Sequence, residues 1–82
     1  MIKPTIGSIV KLYAKDITAG MKMVEAGQIV TILDVEIDFC EEFAVSYVYR
    51  DNAGKDWAGY GRLDTVKRIE YVTGINLVNL ID

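Results

Sequence analysis

Hydrophobic and polar positions alternate with period two along most of the chain, and aliphatic, β-branched and aromatic residues fill the alternating runs. That is the pattern of half-buried β-strands. In residues 6–14, IGSIVKLYA, Val10 and Leu12 share one face while Ile9 and Lys11 share the other. Residues 27–37, GQIVTILDVEI, give the strongest strand, with Ile29, Thr31, Leu33, Val35 and Ile37 on one side and Val30, Ile32, Asp34 and Glu36 on the other. FAVSYVYR (43–50) and the strand opening at WAGYGRL (57–63) flank DNAGK, where Asn52 and Gly54 can supply left-handed positions for a hairpin turn. KRIEYV (67–72) alternates once more. Between the first two strands, KDITAGMKMVEAG reads as a long, partly ordered loop in which MKMVEA can close a helical turn. Before the last strand, DTV predicts a short 3-10 turn capped by Asp64.

This order is carried by GSIVKL, GQIVTIL, the DNAG hairpin, WAGYGRLDTV and KRIEY, and it resembles the Src-homology-3-like small barrel over roughly residues 6–72. The resemblance implies an all-β, five-stranded barrel; the length makes residues 1–82 a single domain, and residues 73–82 read as an apolar tail in the form of a short strand or helix. It is a resemblance of layout. Peptide-binding members carry an acidic ALYDY-type first strand and a tryptophan pair after an acidic loop, whereas the first strand here reads KLYAK and Trp57 opens the fourth strand. Recognition of proline-rich peptides therefore does not carry over, and the superfold alone assigns no function.

Composition narrows the function classes. A domain of 82 residues buries only about 60–65% of the surface its unfolded chain exposes, which predicts a folding free energy on the order of 5 kcal/mol. The net charge of −3 and the pI near 4.8 disfavour binding to a phosphate backbone, which needs clustered lysine and arginine. Cys40 is the sole cysteine, so no internal disulfide is expected, and its neighbours Glu41 and Glu42 deny it the electropositive setting of a reactive thiol. Histidine is absent, which removes the commonest general base and metal ligand. The expectation is a non-enzymatic protein of the cytoplasm, without membrane association, metal or cofactor.

The candidate binding residues are aromatic and acidic. Gly59 and Gly61 share a strand face with Trp57 and would leave room for the indole, so Trp57 is expected to fill the core while Tyr60, on the other face, stands exposed for contact. Tyr49 shares a face with Tyr47 and Phe43 on the preceding strand. Asp34, Glu36, Asp38, Glu41 and Glu42 form the densest charge cluster, either a solvated edge that discourages aggregation or an acidic surface for a basic groove. Arg62, with Lys67 and Arg68, is the basic patch that could hold a phosphate or carboxylate. Ile75, Leu77, Val78, Leu80 and Ile81 in the tail must either pack across the chain's own barrel or form the interface of a homodimer.

The leading reading is a module that binds a protein partner through the face around Tyr49, Trp57, Tyr60 and the acidic strand end. Short acidic chains of this size resemble the inhibitors and anti-defence proteins that phages encode, and that resemblance implies occlusion of a partner's surface. The alternative is a homo-oligomer that binds a small, nucleotide-like ligand between its chains.

Overall fold

The computed structural model describes residues 3–82. The alternating runs become antiparallel strands: β1 (Ile9–Tyr13), β2 (Lys22–Glu25), β3 (Gln28–Ile37), β4 (Val45–Arg50), β5 (Asp56–Gly61) and β6 (Val66–Glu70). They lie in a single open sheet in the order β1-β6-β2-β3-β4-β5, and there is no α-helix among the described residues. The core forms where the inward residues of successive strands meet. Leu12, Met23, Ile32, Val45 and Ile69 are fully buried there, joined by Tyr47 and Tyr71. Ile69 sits opposite Val10 of β1 and opposite Met23 of β2, so one side chain joins both neighbours of β6.

The ten-residue β3 pairs with β2 through its first half and with β4 through its second. A register shift falls between Ile32 and Asp34, where Leu33 is the extra residue of a β-bulge. The bulge flips the parity of the strand. Val30 and Ile32 face inward before it, and after it Val35 packs on the core while Asp34 and Glu36 face out. Ile29 and Thr31 therefore do not share a face with Val35 and Ile37, as unbroken alternation would require.

The stretch read as an irregular loop contains a sixth strand, β2. Lys22–Glu25 pairs with β3 through the two-residue turn Ala26–Gly27, both residues of which have positive φ (50° and 77°). This is the geometry that suits the twist of a tight hairpin. It leaves Lys22–Glu25 of MKMVEA extended, with Met23 inward, instead of helical. The segment 64–66 makes no 3-10 turn. Arg62 to Thr65 forms a hydrogen-bonded turn, and its side-chain acceptor is the Thr65 hydroxyl, 2.9 Å from the Arg62 N–H, in place of Asp64. In the β4–β5 turn only Gly54 is left-handed; Asn52 is not.

The end strands β1 and β5 do not pair with each other. Beyond β1, a 3-10 turn at Ala14–Asp16 directs the Ala14 N–H to the Thr65 carbonyl (2.7 Å) and the Lys15 N–H to that of Leu63 (3.1 Å), which fastens it to the β5–β6 turn. The tail folds back on its own sheet. Ile75 is buried, Leu77 and Leu80 pack on the core, and the Ile81 N–H donates to the Lys11 carbonyl at 2.9 Å along the outer edge of β1. A 3-10 turn at Leu77–Asn79, capped by the Asn76 side chain, turns Val78 outward at 83% exposure.

Candidate functional site

The β4–β5 hairpin places the candidate aromatics, and strand parity divides them between two faces. Tyr49 stands opposite Trp57, Tyr47 opposite Gly59 and Val45 opposite Gly61, all on the inner side of the sheet. Ser46 stands opposite Tyr60 and Val48 opposite Ala58, on the outer side. Tyr49 and Trp57 are therefore not part of one surface with Tyr60.

Trp57 has the expected face but not the expected depth. The residue is 45% exposed at the rim of the sheet, because the space above Gly59 is already taken. A β-carbon on Gly59 would collide with the ring of Tyr47, 2.6 Å from its phenolic oxygen. Tyr47 is thus the aromatic filler of the core, with its hydroxyl accepting from Lys67 Nζ at 2.8 Å and the same ammonium lying 5.0 Å from the ring centre. The indole instead closes the hairpin from outside. Trp57 Nε1 donates to Asp51 Oδ2 at 2.9 Å, and Lys55 Nζ lies 4.2 Å from the indole centre. Trp57, Tyr49, Val30 and the β2–β3 turn surround a hollow of 280 Å³ with Glu25, Gln28 and Asp51 at its margin. Glu25 and Gln28 were not among the candidates; their signal was the Ala-Gly dipeptide between two short alternating runs.

Asp51 organises this end of the molecule. Its Oδ1 accepts from the N–H groups of Ala53 and Lys55, both at 2.9 Å, while Oδ2 holds the indole. The hydrogen bond from Trp57, then that from the Lys55 backbone, hold its carboxyl below the usual aspartate range, and Arg50 does the same to Asp56 through a two-pronged pair at 2.7 and 3.1 Å. Burial, followed by the carboxylate of Glu25, pushes the Tyr49 hydroxyl up. For the two aspartates the folded form binds protons more weakly than the unfolded chain. Their stabilisation is present above the unfolded value of about 3.9 and is lost as pH falls through the lower folded values. Asp51→Asn is therefore expected to be less stable than the parent at neutral pH and to converge with it in acid, as followed by thermal melts across pH. Two curves separated equally at every pH would rule out the Asp51 carboxylate as the source.

On the outer face the register assembles what spacing alone left scattered. Glu36, Ser46 and Tyr60 form one row across β3, β4 and β5, and Asp34, Val48 and Ala58 form the next. A hollow of 190 Å³ lies over these rows. It adjoins a wider one of 520 Å³ bordered by Asp38, Glu41, Glu42 and Phe43. Tyr60 is 66% exposed and Phe43 56%, with Phe39 at 77% on the same β3–β4 loop. Asp38 Oδ1 accepts from the Cys40 N–H at 3.0 Å and shapes that loop. Glu42 takes Arg62 Nη2 at 2.6 Å, and the guanidinium lies 5.5 Å from the Phe43 ring centre. The expected basic patch is dispersed. Arg62 is held by Glu42, and the consecutive Lys67 and Arg68 project to opposite faces of β6, Lys67 inward to Tyr47.

Among the described residues no group of three or more acidic, cysteine or histidine side chains is placed to hold a metal ion, and no helix is long and apolar enough to cross a membrane. The site belongs to a small all-β protein with one antiparallel sheet. Comparison with protein families, with curated proteins and with solved structures finds no match for the chain.

Proposed function

We propose that this protein is a non-enzymatic binding module that docks a basic protein surface on the outer face of β3, β4 and β5. One observation carries the reading: Tyr60 and the carboxylates of Asp34 and Glu36 converge on one hollow, continuous with the acidic, phenylalanine-bearing β3–β4 loop. Tyrosine supplies a large contact area with a hydrogen-bonding tip, and surrounding carboxylates steer a cationic partner into register. Occlusion of a basic groove in the manner of a small inhibitor suits this arrangement. The Src-homology-3-like reading belongs to the same proposal. Its support is the long β3 shared between two pairings and the tight turn between β5 and β6.

Titration with a capped peptide carrying arginine at alternate positions, with valine or threonine between, tests the reading. Binding is expected to weaken steeply with added salt. Tyr60→Ala should weaken it about 30-fold, and Glu36→Lys should mainly slow association. Chemical-shift changes should centre on Ser46, Ala58 and Tyr60. Salt-insensitive binding, or unchanged affinity in both variants, would refute docking on this face.

A further inference from the structure

The two edges of the sheet are finished differently. Along β1 the tail supplies a partner, since the Lys11 carbonyl accepts from Ile81. β5 has β4 on one side and, among the described residues, no strand on the other. Which of its backbone groups are free follows from the hairpin. The Asp51 N–H donates to the Lys55 carbonyl at 2.9 Å, so positions 51 and 55 form a hydrogen-bonded pair. Antiparallel pairs alternate between bonded and non-bonded types. Trp57, Gly59 and Gly61 therefore bond to β4, and the N–H and C=O groups of Asp56, Ala58 and Tyr60 point away from it.

This edge carries one guard, the charge of Asp56, and Arg50 pairs with it. Its six pairs with β4 run without a register break, and DWAGYG contains neither proline nor lysine. Resting on the protein-binding reading above, we infer that the β5 edge receives an extended segment of the partner as an added strand, with basic side chains at the positions that share the face of Tyr60. Main-chain bonds to Asp56, Ala58 and Tyr60 would supply affinity, and the side chains of an added strand would alternate between the two faces.

Charge selects the occupant. A side chain placed beside Tyr60 on an added strand continues the row Tyr60, Ser46, Glu36. Three strand spacings amount to ~14 Å from its backbone to that of Glu36. An extended arginine laid across the exposed Tyr60 ring thus brings its guanidinium within a Debye length, about 8 Å, of the Glu36 carboxylate. Two arginines of this face are already engaged, Arg62 by Glu42 and Arg50 by Asp56. A second copy of the chain would instead bring like acidic faces together at a net charge of −3 each.

The same arginine-alternating peptide provides the test. Ala58→Pro deletes an outward N–H that makes no bond to β4 and should weaken binding about tenfold or more. N-methylation of the peptide at alternate residues should do the same against the unaltered protein, which keeps the result independent of how the proline variant folds. Amide exchange at Ala58 and Tyr60 should slow in the complex. Full affinity for the N-methylated peptide, with unchanged exchange at these amides, would overturn strand addition while leaving face docking intact. No binding by any form of the peptide would overturn both. A dimer of the protein alone that Ala58→Pro dissociates would make the occupant a second copy and reject the partner segment.

Discussion

Ile69→Ala is expected to remove most of the folding free energy, about 3–4 kcal/mol from a total on the order of 5. Ile69 is fully buried and opposes both Val10 and Met23, so its truncation opens a cavity that β1, β6 and β2 share. Edge strands that meet one neighbour can relax towards a void, but a strand held on both sides has less freedom to do so. In urea the midpoint should fall sharply, and thermal unfolding should begin roughly 15 °C or more below that of the parent. Ile9→Ala is the matched control. Ile9 lies on the outer face of β1, half exposed, and its truncation should change stability by ~0.5 kcal/mol or less. Comparable losses in the two variants would mean that the core is not organised around Ile69.

The second large effect is expected at Gly59. An alanine there has no room for its methyl unless the Tyr47 ring moves, and that ring is buried with its hydroxyl bound to Lys67. Overpacking of this kind should cost about 1–3 kcal/mol. Gly61→Ala provides the contrast two residues along the same face. Its added carbon would meet Thr65 at 3.4 Å and Ala14 at 3.6 Å, close to ordinary contact, and the loss of unfolded-chain freedom offsets much of any strain. Gly59→Ala combined with Tyr47→Leu should be less destabilised than the sum of the single changes, because the smaller side chain vacates the contested volume. Strict additivity would show that the glycine serves backbone conformation and not the packing of Tyr47.

The same pair shows how far the sequence could be read. Period-two counting put Trp57, Gly59 and Gly61 on one face, as found, but it could not say which aromatic ring uses the space that the glycines leave. That depends on the register of β4 against β5, which places Tyr47 over Gly59 and leaves the indole at the rim. The all-β class and five of the strands were legible because their runs are long enough for alternation to register. β2 was not, since it has four residues and Met23 is its one fully buried side chain. Unbroken alternation put Ile29 and Thr31 on the face of Val35 and Ile37, because spacing alone does not reveal the bulge at Leu33 that exchanges inner and outer positions partway along β3. The outer site was half legible. Asp34 and Glu36 share a side by spacing alone, but their meeting with Tyr60 across two strand pairings is a product of register. Glu25 and Gln28 reach the inner hollow only through a turn whose alanine adopts a conformation that alanine seldom takes.

The hydrogen bond from Ile81 to Lys11 limits what the molecule can build. A sheet that propagates from subunit to subunit needs two free sides on every unit, one to accept and one to pass on. Here the chain's own end occupies one of them. Whatever adds at β5, whether a foreign segment or another copy, meets on the far side a border that the tail holds at Lys11. A strand arriving beside β1 would first have to displace Ile81 from the Lys11 carbonyl, whereas one arriving at β5 displaces nothing, so the two borders of the sheet differ in what an incoming strand must undo.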